Sequence, residues 1–117
     1  MQFMTEHNES ILAKIRSYAV QTRQFIGDMD FLEFSNDDKT MVACIFNLSQ
    51  IGELVSKLES EFIENSAHIP WRKMKGMRNK IVHDYEGIQL NIIWDVIVNF
   101  LPELIDNIDT MIGNNKV

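Results

Sequence analysis

Apolar residues recur at three- and four-residue steps along most of this chain of 117 residues. Such steps place one apolar stripe on a helix, and the first of them predicts a helix over residues 5–26. The segment 27–38 contains aromatic residues without helical spacing and ends in four polar residues suited to an N-cap. A second stripe then continues to Phe62 and predicts a helix of about 25 residues.

Two prolines and a glycine divide the rest of the chain. Pro70 suits the first position of a third helix, and Gly87 is a plausible end for it. A fourth apolar stripe covers residues 90–111, where Pro102 should bend or split the helix. No segment alternates apolar and polar residues as a half-buried strand does. We therefore predict an all-α, up-and-down bundle of four helices, or of five if Pro102 splits the last one.

Length and composition limit the class of protein. A chain of 117 residues that is 45% hydrophobic fits one domain, which we assign to residues 1–117. No apolar run approaches the roughly 20 residues of a membrane span, so we expect a soluble cytoplasmic protein without membrane contact. The single cysteine, Cys44, suits a buried position and has no partner for a disulfide or zinc site. We expect neither a metal nor a cofactor.

Positive charge is concentrated in one place. The net charge is −6, yet residues 71–80, WRKMKGMRNK, carry +5 and no acidic residue, which leaves −11 on the other 107 residues. This distribution indicates one confined anion site on a body that repels phosphate elsewhere. We assign phosphate binding to Arg72, Lys73, Lys75 and Lys80. The structural alternative is a solvated helix face beside acidic neighbours.

The third helix also carries residues suited to phosphodiester chemistry. Asn79 lies one turn before His83 on the same polar side, where its amide can orient the imidazole. Arg78 supplies a planar cation that suits a phosphate. A base, an orienting amide and a phosphate-binding cation fit metal-free cleavage of RNA, in which the 2′-hydroxyl is the nucleophile. We therefore predict Arg78, Asn79 and His83 as catalytic residues.

The spacing of Arg78 and His83 bears on assembly. They are five residues apart, which separates them by about 140° around a helix axis. Two side chains so placed do not converge on one atom from a single helix. Two copies of the helix packed across a two-fold axis would supply both groups to each site. We therefore expect a homodimer whose cleft is the active site.

Several segments resemble one known family. RNKIVHDY, with Arg78, His83 and Tyr85 in the order R-x-x-x-x-H-x-Y, resembles the signature of HEPN-domain ribonucleases, specifically the HepT toxins of the MntA–HepT toxin–antitoxin pairs. FNLSQIGELVSKL and IPWRKMKGMRN before the signature, and WDVIVNFLPELIDNI after it, are also similar to that family. The resemblance covers most of residues 40 to 108 and implies a HEPN-like helical domain.

The resemblance implies particular roles. Arg78 and His83 would be the catalytic pair of a metal-independent endoribonuclease that acts as a homodimer, with Asn79 positioning them. Tyr85 would receive AMP from the antitoxin, a minimal nucleotidyltransferase, and the added phosphate would repel RNA. Glu86 follows Tyr85 where many relatives have an aromatic residue, so recognition of RNA or antitoxin can differ. The alternative function is a non-catalytic partner or substrate-binding module for a nucleotidyltransferase.

Two positions of the second helix fall outside that motif. Gly52 lies inside the predicted helix, where glycine costs roughly 1 kcal/mol against alanine, so a close backbone approach by another helix or by a second copy is expected. Glu53 matches the family's Gly-Glu pair and is otherwise a solvated glutamate. Trp71 and Trp94 are predicted to be packing residues.

Overall fold

The fold is described by a computed structural model that covers residues 4–83 and 89–115, and the side chains of all of these except residues 82, 83, 114 and 115. Within those ranges the chain is helical and has no strand, which confirms the predicted all-α class. The elements are α1 (Glu6–Ile26), α2 (Phe31–Ser35), α3 (Asp38–Val55), α4 (Ser60–Glu64), α5 (Trp71–His83), α6 (Leu90–Asp95), a π-helical segment (Val96–Phe100) and α7 (Leu101–Asn115).

Helix α3 lies at the centre of the packing. It contacts α1 on one side and α5 on the other, while α7 packs against α1. Side chains from α1, α3, α6, the π segment and α7 form the fully buried centre of the core, among them Leu12, Leu48, Ile93, Ile97 and Leu104. None of the described helices is both long and apolar enough to cross a membrane.

Helix α2 was not predicted, because its aromatic residues lack helical spacing. A capping box starts it: the Asp30 carboxylate accepts the Glu33 backbone N–H at 2.8 Å, and the Glu33 carboxylate accepts the Asp30 N–H at 3.1 Å. Phe34 is fully buried and lies 5.1 Å from the Trp94 ring, centroid to centroid. The absence of a helix in residues 27–38 was therefore a wrong prediction.

The predicted second helix of about 25 residues is also wrong, because α3 ends at Val55 and a turn precedes α4. The start of α1 binds this turn. The Asn8 side-chain oxygen accepts the Glu59 backbone N–H at 3.2 Å. The Thr5 hydroxyl and the Asn8 amide each donate to the Glu59 carboxylate at 3.0 Å. These long-range bonds stabilise a turn that the apolar period does not show.

The last predicted helix is interrupted just before Pro102, as the sequence indicated. In the π segment, Leu101 N–H bonds to the Val96 carbonyl, five residues back. The next such bond would join Pro102 to the Ile97 carbonyl, and proline has no N–H to donate. Arg23 of α1 donates to that carbonyl at 3.4 Å instead. The bond from Arg23 thus satisfies a carbonyl that the proline leaves without a donor.

The boundaries of α5 are partly as predicted. Pro70 directly precedes Trp71, one position earlier than expected, and its carbonyl accepts the Met74 N–H at 3.3 Å. The predicted end at Gly87 lies outside the described residues.

Cys44 is fully buried on α3, as predicted. Burial raises the pKa of its thiol to about 12, with a smaller contribution from the negative charge of Asp37. The side chain is therefore an uncharged apolar group at neutral pH.

Candidate functional site

The basic helix α5 is fixed to the bundle at its first residue. Trp71 is 3% exposed, and its indole N–H donates to the Ser66 hydroxyl at 3.0 Å. Ser66 in turn donates to the Phe62 carbonyl at 2.7 Å, and the Phe62 ring packs against the indole. Trp71 is a packing residue, as predicted. The rest of α5 extends from this anchor, so its direction across α3 is set by buried contacts.

The predicted phosphate-binding cations lie on the surface of α5. Arg72, Lys73, Lys75 and Lys80 are all exposed. Met74 and Ile81, by contrast, are buried against the bundle. Within residues 4–83 and 89–115, none of the four cations forms an ion pair or a side-chain hydrogen bond. Their charge is available to an anionic ligand without first breaking such a contact.

Helix α5 meets α3 at Gly52. A Cβ atom on Gly52 would overlap the Cβ of Arg78 and would lie 2.9 Å from the Met74 carbonyl oxygen. The expected close approach is therefore made by α5 of the same chain. Because no other residue has room here, glycine at position 52 determines how near Arg78 comes to α3.

Arg78 is held by two side chains. Its Nη2 lies 2.9 Å from Oε2 of Glu53, and its Nη1 donates to Oδ1 of Asn79 at 3.1 Å. The Arg78 side chain is 32% exposed and that of Glu53 is 44% exposed, so the pair lies at the surface but against the protein. The Asn79 amide oxygen thus binds Arg78, while its predicted contact with the His83 imidazole involves a side chain outside those described.

The role of Glu53 was not deduced from the sequence, where a solvated glutamate was the ordinary interpretation. The available signal was its position beside Gly52. A glycine that marks a close helix crossing also places its neighbour within reach of the facing helix. Facing Gly52 is Arg78, and a carboxylate next to the crossing is suited to bind it.

The other predicted site residues are placed only in part. His83 is the last residue of α5, five residues after Arg78 on the same helix, and its side chain is not among those described. Tyr85 and Glu86 lie outside the described residues. Asn79 is exposed and one turn before His83, as the spacing required.

An exposed apolar face of α3 leads to the ion pair. Val42 is 55% exposed and Phe46 is 57% exposed. Val42, Phe46 and Glu53 lie within about 40° of one another around the helix axis, and Phe46 is about 10 Å along the axis from Glu53. The face of α3 that leads to the Glu53–Arg78 pair thus carries two apolar side chains that the described residues leave exposed.

A groove of about 430 Å³ lies on the other flank of α5. Its apolar lining includes Met77 of α5 and Ile92, Val96 and Phe100 of the α6–π region, and Lys73 and Lys80 also line it. Among the described residues, no group of three or more His, Cys, Asp or Glu side chains is arranged to hold a metal ion.

Comparisons with known proteins place the chain in a family. The family model described as "Ribonuclease HepT-like" matches residues 15–111. "Putative RNase MJ0127" of Methanocaldococcus jannaschii is 42% identical over 88 residues, which are 75% of this chain and 73% of that protein.

A further relative, "Probable ribonuclease HepT" of Thermococcus cleftensis, is 30% identical over 101 residues, 86% of this chain and 92% of that protein. No solved structure gives a significant match. The chain belongs to the ribonuclease HepT-like family.

Proposed function

We propose that this protein is a metal-independent endoribonuclease, the toxin of a cytoplasmic toxin–antitoxin pair. The observation that carries the proposal is Arg78, held at the surface by Glu53 and Asn79 on a helix whose four exposed cations have no side-chain partner among the described residues. A guanidinium held by two side chains, on a helix with further exposed positive charge, is suited to an RNA phosphate. Membership of a family whose relatives are named as ribonucleases supports the same assignment.

The reaction we propose is an internal transfer at phosphorus. The RNA 2′-oxygen attacks the adjacent phosphorus as the 2′-proton passes to a base, and the bond from phosphorus to the 5′-oxygen breaks as that oxygen takes up a proton. The products are a 2′,3′-cyclic phosphate and a 5′-hydroxyl. His83 is the proposed proton-transfer group, and Arg78 stabilises the charge that develops on the phosphoryl oxygens. Asn79 positions this pair.

The four exposed cations of α5 are proposed to bind the RNA backbone. Arg72, Lys73, Lys75 and Lys80 supply a local positive field on a body that is acidic elsewhere. Lys73 and Lys80 also line the apolar groove, so a phosphate bound by either lysine would place its base near an apolar surface. This arrangement favours single-stranded RNA, whose bases are free to leave the stack.

The active form we propose is a homodimer with a composite site. Arg78 and His83 are about 140° apart on one helix, so a second copy is needed to bring both groups to one phosphate. The exposed Val42 and Phe46 support this, because they form an apolar face that leads to Arg78 through Glu53. Burying that face in a dimer would bring the second copy's α5 close to the site.

The silencing we propose is attachment of AMP to Tyr85 by a nucleotidyltransferase antitoxin. Tyr85 is two residues after His83, so the modification would add bulk and a negative phosphate close to the proposed proton-transfer group. The added charge would compete with RNA for the cations of α5.

The test is cleavage of total cellular RNA in excess EDTA by protein whose intact mass shows an unmodified Tyr85. We expect the parent to cut RNA and Arg78→Ala and His83→Ala to lose activity by about 100-fold or more. Arg16→Ala is the matched control for the arginine, because Arg16 is also half-exposed and paired with a carboxylate. His68→Ala, at an exposed position, is the control for the histidine.

Either of two results would change the proposal. Cleavage that stops in EDTA would overturn metal independence. An unmodified parent that cuts no RNA would replace the enzyme with the alternative function, a non-catalytic module that binds a nucleotidyltransferase or its substrate through the basic helix.

A further inference from the structure

We infer that Glu53 is a positioning residue for Arg78, which sets the direction in which the guanidinium meets the RNA phosphate. The inference rests on the proposed ribonuclease function and adds to it a residue outside the R-x-x-x-x-H-x-Y motif. It is carried by the 2.9 Å contact between Glu53 and Arg78 and by the helix crossing at Gly52.

The crossing fixes the base of the arginine side chain. The Arg78 Cβ lies so close to Gly52 that any side chain there would overlap it. The crossing does not fix the rest of the arginine side chain, and an arginine without partners loses rotamer entropy when it binds a ligand. Glu53 directly follows the residue at the crossing on α3. The crossing therefore also places its carboxylate beside the guanidinium.

The two partners of Arg78 leave part of the guanidinium free. Arginine has five N–H donors in a planar fork. Nη2 lies 2.9 Å from a carboxylate oxygen of Glu53 as an ion pair, and Nη1 donates one hydrogen to Asn79. Among the described residues the Arg78 guanidinium has no further side-chain partner, so its other N–H groups are available to a phosphate. Because the guanidinium is planar, binding two of its nitrogens determines the plane in which the remaining donors lie.

Because Glu53 is negatively charged, it cannot act by attracting the RNA phosphate itself, and its effect must come through Arg78. A carboxylate beside Arg78 reduces the local positive field, so it weakens the long-range attraction of RNA phosphate. An acidic residue at this position therefore lowers the affinity for RNA, and the role that suits it is to orient the guanidinium. Removing Glu53 should therefore lower kcat without raising KM. Partial unfolding would also lower the apparent kcat, and a reduced melting temperature would identify it.

The experiment measures kcat and KM on a single-stranded RNA in EDTA for Glu53→Ala, Glu53→Gln and the parent. For Glu53→Ala we expect kcat to fall by about 100-fold, the effect of a misplaced catalytic group, with KM unchanged or lower. Glu53→Gln keeps the side-chain length and an acceptor oxygen, so we expect a smaller loss of about tenfold in kcat.

Asp109→Asn is the matched control. Asp109 binds Arg16 at 2.6 Å between α7 and α1, and the two side chains are 49% and 42% exposed, close to the exposure of the Glu53–Arg78 pair. Loss of this ion pair should change the melting temperature as much as loss of the other, because both are surface pairs. It should leave kcat within about twofold of the parent, as expected for a group remote from the reacting atoms.

A second measurement reports on the guanidinium itself. In nitrogen NMR, restricted rotation about the Nε–Cζ bond gives Arg78 two separate Nη signals, and we expect them to merge in Glu53→Ala but to persist in Asp109→Asn. Arg78→Lys assigns the signals.

The outcomes separate the inference from the function. A parent that cuts RNA together with a Glu53→Ala variant of unchanged kcat overturns the inference alone. So does a Glu53→Ala variant in which Arg78 keeps two Nη signals. A parent that cuts no RNA overturns the proposed function, and the positioning role of Glu53 with it.

Discussion

Helix α3 makes two junctions that differ in kind. Against α1 it uses side chains: Asn47 donates to Gln21 at 2.9 Å, and the Cys44 sulfur lies 4.0 Å from the Thr22 carbonyl oxygen. Against α5 it uses backbone, because only a glycine fits at position 52. Side-chain junctions can absorb a small change by a rotamer shift, whereas a backbone crossing has no such freedom.

The two junctions therefore suit different purposes. The α1 junction buries apolar and hydrogen-bonded groups and stabilises the bundle. The α5 junction brings Arg78 to a fixed place beside Glu53. The difference teaches that the stability of the bundle and the geometry of the candidate site rest on different parts of one helix.

The largest effect is expected from Gly52→Ala. The added methyl overlaps the Arg78 Cβ, so α5 must move away from α3. We expect a loss of about 2 kcal/mol in the free energy of unfolding, as for other overpacked sites, together with a loss of RNA cleavage of about 100-fold. Thermal or denaturant unfolding and a cleavage assay measure the two effects.

Gly113→Ala is the control for that change. Gly113 is also helical, and a Cβ there meets no atom within 4 Å. We expect it to stabilise the protein by up to about 1 kcal/mol through helix propensity and to leave cleavage unchanged. A Gly52→Ala variant that behaves like Gly113→Ala would show that the α3–α5 crossing is not tight.

The second-largest effect is expected from a substitution on the exposed face of α3. Phe46→Glu places a charge on a surface that the proposed dimer buries. Because Phe46 is 57% exposed in the single chain, we expect the free energy of unfolding of that chain to change by no more than about 0.5 kcal/mol. We expect the dimer to dissociate and cleavage to fall by about 100-fold, as each site loses a group from the second copy.

Light scattering after size-exclusion chromatography measures the mass, and Leu32→Glu is the control. Leu32 is 69% exposed and lies on α2 rather than on α3. A Phe46→Glu variant that stays dimeric and active would exclude this face as the dimer surface. A parent that is monomeric and active would overturn the composite site.

Periodicity predicted the parts of the fold that depend on local burial. The bounds of α1 agree to within one residue, and α5 begins directly after Pro70, because each of these helices has an apolar stripe and a terminal signal in its own sequence. The end of α3 was missed, since it depends on Asn8 binding Glu59 across 51 residues. Such a contact leaves no mark in the period of either segment.

In the candidate site, too, the placement of residues on one helix was predicted and contacts between helices were not. The placement of the polar residues of α5 on its exposed side was predicted from spacing on one helix, whereas the hydrogen bond from Arg78 to Asn79 was not. Gly52 signalled a close approach but did not identify the facing residue. The pairing of Glu53 with Arg78 depends on how α3 and α5 cross, so it required the tertiary structure.

The smallest effect tests the α1 junction through Cys44. Burial raises the pKa of this thiol from its usual 9.0 to about 12. The unfolded chain therefore loses the proton first as the pH rises, which makes unfolding more favourable between these two values. Below pH 9 the neutral thiol makes its full contribution to the free energy of unfolding. By pH 10 about 1.4 kcal/mol of that contribution is lost.

Cys44→Ala isolates this contribution, because the two proteins differ only at this side chain. Removing the sulfur lowers stability by a constant amount, whereas the thiol's own contribution depends on pH. We expect urea unfolding to show the stability gap between parent and variant narrowing by about 1.4 kcal/mol from pH 8 to pH 10. A gap that stays constant would mean that Cys44 ionises as readily in the folded protein as in the unfolded chain, and that the α1 junction admits water where the structure places a closed core.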